Sequence, residues 1–246
     1  MFLENLVIDA LDPPLLGRFY QSLLGTTTLT DSPDSFETRL SMAGGPDLDL
    51  CFQRVSTSPR PEPRVHLDLA GGPRQAEVVE RALGLGARHL DIGQRDVPWV
   101  VLADPEGNPF CVMESRPAYE RSGPIAAVPV DSRDPPRDLE FWTGMSGWVR
   151  DQAGVTTAMR HPSGRGPLIE FLPEPRGQDP DKNRTHLDVR LEGGDDPDAV
   201  VAGLSDLGGR ELFPDWGDLA WRVFADPSGN EFCLLPARDP DRIPAP

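Results

Sequence analysis

The chain repeats its own sequence over nearly its whole length of 246 residues. A shift of 122 residues aligns VLADPEGNPFCV at 101–112 with VFADPSGNEFCL at 223–234, and it also aligns Asp12 with Asp134. A shift of 120 residues aligns RVHLD, which begins at Arg64, with RTHLD, which begins at Arg184. We therefore expect two related halves of about 120 residues that share one fold.

Composition limits the partners and the compartment. The net charge is −16, and this sign disfavours binding to nucleic acid or to an anionic membrane. No segment approaches the roughly 20 apolar residues of a membrane span, and Glu4 stands where a secretory signal needs basic residues. Cys51, Cys111 and Cys233 are too widely spaced for a disulfide framework. We expect a cytoplasmic protein with free thiols, and the single lysine among 24 basic residues is typical of a GC-rich, for example actinobacterial, genome.

Hydrophobic periodicity predicts the secondary structure of the first half. Apolar residues at helical spacing, a proline in the first turn and Gly25 after the last turn define the first helix. Asp104-Pro-Glu-Gly predicts a tight type I turn between two strands, so that Gly107 and Asn108 are turn residues. The predicted order is β-α-β-β-β twice, with helices at 14–24 and 74–83 and strands near 6–8, 36–42, 48–54, 65–69, 87–90, 99–103 and 109–114.

This order of elements, DPPLLGRFY at 12–20 and the repeated D-P-x-G-N-x-F motif together resemble the glyoxalase/bleomycin resistance/extradiol dioxygenase (vicinal oxygen chelate) superfamily. The resemblance covers about residues 3–116 and 124–236. It implies an α+β fold of two tandem glyoxalase-like domains, each of paired βαβββ modules that curl into an incomplete barrel with a concave cup. The expected divisions are domains at 1–118 and 124–238, a linker at 119–123 and a flexible tail at 239–246.

The resemblance also implies positions for metal ligands, which in the family are usually His or Gln on the first strand of a module and Glu on the last. The matching positions are Asn5, Cys51, His66 and Cys111 in the first half and Ala127, Glu170, His186 and Cys233 in the second. Only His66, His186 and Glu170 keep the expected ligand type, and cysteine replaces the closing glutamate in both halves. We therefore expect no metal cofactor. If a divalent metal binds, the expected sets are His66, Cys51 and Cys111, or His186, Glu170 and Cys233.

Strand alternation predicts which side chains face the cup. It places Arg64, His66 and Asp68 on one side of their strand, opposite Val65 and Leu67. The second half repeats the polar side as Arg184, His186 and Asp188. A carboxylate beside an imidazole raises its basicity, and arginine suits a developing oxyanion, so these residues are candidates for acid–base catalysis. The alternative is a hydrogen-bond network that only fixes the strand.

Further residues are candidates for ligand contact. Trp99 and Trp221 occupy equivalent positions and either form aromatic walls or belong to the core. Polar and thiol groups at the cup positions complete the expected ligand-binding set, namely Asn5, Cys111, Glu170 and Cys233. The cysteines are equally explained as buried thiols, because Cys111 and Cys233 have apolar neighbours. His89 and His161 are interpreted as surface residues.

These features leave three functions open. The first is a lyase, isomerase or cyclase that acts on an oxygenated, possibly aromatic metabolite by acid–base chemistry without a metal. The second is a non-catalytic protein that sequesters a drug or metabolite. The third is a divalent-metal-dependent enzyme of the glyoxalase or dioxygenase type. The expected partner is a small molecule, a homodimer is compatible with the sequence, and a single active cup would be that of the first half, where Asn5 adds a polar group.

Overall fold

The computed structural model describes residues 1–56, 63–152, 154–174 and 182–238. The predicted tail at 239–246 lies outside these residues. Within the described part, no helix combines the length and apolar character needed to cross a membrane.

The first half contains two βαβββ modules, as predicted. Its elements are β1 (Phe2–Ala10), α1 (Pro13–Leu24), β2 (Thr27–Asp31), β3 (Ser35–Ser41), β4 (Asp47–Arg54), β5 (Leu67–Ala70), α2 (Gln75–Gly84), β6 (Arg88–His89), β7 (Val100–Ala103) and β8 (Pro109–Met113). Every predicted helix and strand is present within a few residues. The added strand β2 is mostly polar and exposed at a sheet edge, and so it lacks the alternating pattern by which strands are recognised.

The second half repeats this order. Its elements are β9 (Ile125–Ser132), α3 (Pro135–Met145), β10 (Val149–Arg150), β11 (Ala158–Arg160), β12 (Leu168–Pro173), β13 (Thr185–Arg190), α4 (Pro197–Asp206), β14 (Arg210–Leu212), β15 (Arg222–Ala225) and β16 (Glu231–Leu235).

Each of the two eight-stranded sheets combines one module from each half. The first sheet has the order β14-β15-β16-β13-β1-β4-β3-β2, and the second has the order β10-β11-β12-β9-β5-β8-β7-β6. The modules join where β1 pairs antiparallel with β13 and where β5 pairs antiparallel with β9. The first module of the chain therefore shares a sheet with the last module, and the two middle modules share the other sheet.

The repeated aspartate before each first helix has a local structural role. The carboxylate of Asp12 accepts a hydrogen bond from the backbone N–H of Leu15 at 3.1 Å and caps α1. Asp134 caps α3 in the same way through Arg137 at 3.4 Å. Helix α1 ends at Gly25, which has a φ of 73° and so adopts the left-handed conformation that glycine tolerates best.

The repeated Asp-Pro-x-Gly-Asn motif forms the hairpin between the last two strands of a module. The buried carboxylate of Asp104 accepts backbone N–H groups of Glu106 and Asn108, both at 2.9 Å. It also accepts the hydroxyl of Tyr20 on α1 at 3.2 Å. In the second half Asp226 accepts the indole N–H of Trp142 at 3.2 Å. The motif therefore locks each hairpin to a helix, which confirms Gly107 and Asn108 as turn residues.

One apolar core extends over both sheets. Alternate residues of the central strands point into it, including Val65, Leu67 and Leu69 as predicted, together with Leu6 and Ile8 of β1. A smaller apolar cluster lies on the other face of the second sheet. The polar residues that alternate with the core positions consequently line the concave face of each sheet.

Candidate functional site

The second sheet places an imidazole, a carboxylate and a thiol together on its concave face. His66 immediately precedes β5, and Asp68 lies two residues further along the same strand, with 3.5 Å between His66 Nε2 and Asp68 Oδ1. Cys111 on β8 is the direct parallel partner of Asp68. Ligand atoms of all three side chains lie within 4.8 Å of one another. The imidazole keeps 26% of its surface exposed, so a ligand can reach it.

A second polar group of this cup comes from the other half of the chain. Glu170 on β12 accepts a hydrogen bond from the hydroxyl of Tyr119 at 3.2 Å. Burial raises the pKa of Glu170, and the charge of Asp68 raises it further. Burial also raises the pKa of the Cys111 thiol, so that without a bound cation the thiol stays protonated at neutral pH.

An arginine and two aromatic rings form a wall of the same cup. The Arg116 guanidinium lies 5.6 Å from the Trp99 ring centroid and 5.5 Å from that of Tyr119, which are cation–π distances. Glu114 holds it through Arg116 Nε at 2.6 Å. The floor is apolar and includes Val101, Met113, Ala126, Ala127, Ala158 and Leu168. We call this set of polar, aromatic and floor residues the second-sheet cup.

The first sheet carries an equivalent but more enclosed cluster. His186 Nε2 lies 3.4 Å from Asp188 Oδ1 and 3.7 Å from Cys233 Sγ. The imidazole is only 4% exposed. Burial lowers the pKa of His186 to about 3 and raises that of Asp188 to about 7, so at pH 7 the imidazole is neutral and the carboxyl group is only partly ionised. The amide of Asn5 lies 3.5 Å from Asp188, as part of this cluster.

Ion pairs cross the rest of the concave face of the first sheet. Arg39 binds Asp49 through Nε at 2.7 Å, and Lys182 binds Asp9 at 2.7 Å. Glu4 pairs with both Arg190 and Arg238. These side chains are thus already partnered within the protein. The second-sheet cup, with its apolar floor and exposed imidazole, is the stronger candidate for a ligand site.

Arg64 and Arg184, which strand alternation places beside the two histidines, contact other parts of the chain. Arg64 Nη1 donates to the Gly229 carbonyl at 3.3 Å, and Arg64 Nη2 pairs with Glu231 at 3.3 Å. Arg184 Nη2 donates to the Asp9 carbonyl at 3.0 Å and lies 4.0 Å from Glu106. Both arginines precede the cup strands, where the two sheets meet, and their guanidinium groups link the sheets.

The structure also regroups the expected ligand sets. Cys51 lies on β4 of the first sheet, so it is not brought to His66 and Cys111. Glu170 lies on β12 of the second sheet, so it is not brought to His186 and Cys233. The cause is that each sheet combines one module from each half of the chain. The structure groups His66, Asp68 and Cys111 in the second sheet and His186, Asp188 and Cys233 in the first.

The two predicted tryptophan walls differ in their surroundings. Trp99 packs against the floor of the second-sheet cup, whereas Trp221 is 37% exposed. His89 is exposed on the edge strand β6, as expected. Sequence reasoning missed Arg116 and Tyr119, which lie at the junction of the two halves. The only signal in the sequence was an arginine and a tyrosine in a joining segment that has few apolar residues.

Three donor-atom separations, two in the first-sheet cluster and one in the second, match those around a tetrahedral cation. Zinc binds nitrogen, oxygen and sulfur at about 2.0 to 2.3 Å, which places neighbouring ligand atoms about 3.3 to 3.8 Å apart. The measured separations of 3.4, 3.5 and 3.7 Å fall in this range. Asp68 Oδ1 is also buried without a hydrogen bond to any described residue, and an uncompensated buried oxygen favours a cation.

The chain thus consists of duplicated βαβββ modules in two mixed sheets, and each sheet has a cluster of His, Asp and Cys. The profile of the glyoxalase-like domain family matches residues 5–113 and 127–235, and the chain belongs to this family. The expected resemblance to the vicinal oxygen chelate superfamily is thereby confirmed.

Solved structures with the same fold span nearly the whole chain. Glyoxalase I from Zea mays is 15% identical, with a TM-score of 0.61 over 96% of this chain and 92% of that chain. A putative dioxygenase from Bacillus subtilis subsp. subtilis str. 168 is 14% identical, with a TM-score of 0.58 over 97% of this chain and 86% of that chain. No curated protein sequence matches the chain. At these identities the neighbours establish the fold alone.

Proposed function

We propose that the chain is an enzyme that moves a proton on a small oxygenated metabolite held in the second-sheet cup. The observation that carries this proposal is the partly exposed His66 imidazole beside Asp68, in a cup that otherwise has an apolar floor. An imidazole supported by a carboxylate is a general base. The apolar floor excludes water and strengthens the electrostatic interactions of the polar groups.

The residues of the cup support removal of a proton from a carbon next to a carbonyl group. His66 accepts the proton on Nδ1, because its Nε2 faces Asp68 at 3.5 Å, and Asp68 stabilises the resulting imidazolium. The electron pair of the broken C–H bond forms a carbon–carbon double bond and leaves the negative charge on the carbonyl oxygen. The Arg116 guanidinium is the donor for that oxygen. Return of the proton to a neighbouring carbon completes an isomerisation, and departure of a leaving group completes an elimination.

Isotope exchange tests this proposal before the natural substrate is known. The protein is incubated in D2O with a panel of hydroxyketones, 1,3-dicarbonyl compounds and 2-oxo acids, and loss of the α-proton signal is followed by NMR. We expect at least one compound to exchange faster with protein than without it. A compound that binds and is recovered fully protonated would instead identify the cup as a sequestering site.

Glu170 is expected to act as the acid that returns a proton. Burial and the charge of Asp68 raise its pKa, so that the carboxyl group stays protonated to a higher pH than an ordinary glutamate. Since a raised pKa extends the protonated form to higher pH, the exchange rate should fall on the alkaline side as Glu170 ionises. Glu170→Gln should lower the rate about 100-fold and remove that alkaline decline. An unchanged pH profile in the variant would rule out this role.

The donor spacing of the second-sheet cup favours a second candidate, a divalent-metal-dependent enzyme. His66, Asp68 and Cys111 would hold the ion, which would polarise a substrate oxygen. Cobalt is a suitable probe, because a cobalt–thiolate bond gives an intense near-ultraviolet band. If this candidate is right, Co²⁺ titration produces the band, Cys111→Ser abolishes it and Cys233→Ser leaves most of it. The absence of a band in the wild-type protein would dismiss this candidate.

A further inference from the structure

A cleft outside both cups lies at the edge of the second sheet. It has a volume of about 490 Å³ and is lined by strands β10 and β11 and by the segment that joins the two halves. This volume lies within the range of about 300 to 1,000 Å³ that small-molecule sites occupy. Val149 and Pro162 supply apolar surface, and Arg121, Arg150 and His161 supply polar groups.

The joining segment separates this cleft from the second-sheet cup. Pro117, Ala118, Glu120 and Arg121 line the cleft, whereas Tyr119 between them reaches Glu170 in the cup. The segment is fixed by Arg160, which donates to the Ala118 carbonyl at 2.5 Å and to Ser122 Oγ at 3.3 Å. The cleft therefore has a rigid wall of its own and does not depend on the cup.

The lining of the cleft contains more basic than acidic side chains. Arg160 is buried, and its guanidinium is committed to Asp151 at 3.3 Å and to backbone carbonyls. Arg121 and Arg150 are exposed, and neither side chain makes a hydrogen bond or ion pair with another residue in the described part of the chain. Glu120 is the remaining acid of the lining. Burial lowers the pKa of His161, which keeps the ring neutral at pH 7.

We propose that this cleft binds a small organic acid, with its carboxylate or phosphate group on Arg121 and Arg150 and its apolar body against Val149 and Pro162. Arginine forks recognise both anions in a bidentate manner. Two neighbouring arginines without a partner among the described residues create a local positive potential in a chain with a net charge of −16, and this potential attracts an anion to the cleft.

Calorimetric titration with phenyl phosphate and with benzoate tests the proposal, and phenol serves as the neutral comparison. We expect both acids to bind more tightly than phenol and to bind more weakly as salt screens the arginines. The double variant Arg121→Gln/Arg150→Gln should weaken binding at least tenfold. Arg88→Gln, which removes another exposed arginine, should leave binding unchanged.

Arg116→Gln distinguishes binding in the cleft from binding in the second-sheet cup. Acids that bind in the cleft keep their affinity in this variant, whereas acids that bind in the second-sheet cup lose it. The proposal would be overturned if neither acid binds or if phenol binds equally well. It would also be overturned if binding depends on Arg116 and not on Arg121 and Arg150. All four arginines in these variants are at least partly exposed, and circular dichroism confirms that each variant is folded.

Discussion

Replacing His66 by Gln is expected to lower the protein-catalysed exchange of a substrate proton by 100-fold to 10,000-fold, about the contribution of a positioned general base. Glutamine preserves hydrogen-bonding capacity but cannot accept the proton at neutral pH. Asp68→Asn should cause a smaller loss, because it removes the charge that stabilises the imidazolium 3.5 Å away. The measurement is the exchange rate in D2O at saturating and at low substrate concentration, so that kcat and KM are separated.

His186→Gln is the matched control for this prediction. His186 has the same neighbours in the same geometry, with Asp188 at 3.4 Å and Cys233 at 3.7 Å. It is almost fully buried, however, and burial lowers its pKa. We expect exchange in this variant to stay within about threefold of the wild-type rate. Equal losses in the two variants would mean that both cups react, and a loss only in His186→Gln would move the active site to the first sheet.

The contrast between the cups comes from what surrounds two similar clusters. In the first sheet Glu4, Asp9 and Asp49 are neutralised by basic side chains of the same chain. In the second sheet the corresponding face has alanines and a leucine, Glu170 is bound by a tyrosine, and the ion pair in the cup wall is Arg116 with Glu114. Both halves have the imidazole, carboxylate and thiol, while the residues around them form several ion pairs in the first sheet.

Much of the fold could be predicted from the sequence. Helix α1 is defined by local signals, namely the capping carboxylate of Asp12, a proline in the first turn and Gly25 at the end. The hairpin at Asp104 follows from turn chemistry in the same way. Strand β2 was not predicted, because Thr27–Asp31 is an exposed edge strand. It has no buried side that would require apolar residues at alternate positions.

The site was predicted only in part, because its parts come from different halves. Alternation within one strand is local, and it correctly paired His66 with Asp68. The grouping of Cys51 with His66 assumed that each half forms its own sheet. That assumption required β5 to pair with β1. The structure pairs β13 with β1, and the two strands have the same sequence pattern. Long-range pairing between such similar strands is decided by the connections and by packing, which periodicity does not report.

The largest change in stability is expected from Gly17→Ala in helix α1. A Cβ at this position would overlap the Cδ1 and Cγ atoms of Phe36 and lie 2.8 Å from its Cβ. Rotation of the ring cannot relieve a clash with Cβ, and Phe36 is 1% exposed. The helix must therefore move away from β3, at a cost of about 1 to 3 kcal/mol of unfolding free energy. Urea denaturation followed by circular dichroism measures this loss.

Gly203→Ala in helix α4 is the matched substitution with the opposite expected sign. Nothing lies within 4 Å of a Cβ added to Gly203, so the alanine brings only its better helix propensity, about 0.5 to 1 kcal/mol of stabilisation. The 122-residue repeat places Leu139, which is fully buried, at the position of Gly17, so the helix itself does not require glycine there. The requirement comes from Phe36, and Gly17→Ala should therefore cost less in a Phe36→Leu background. Equal costs in the two backgrounds would show that contact with Phe36 is not the reason for the glycine.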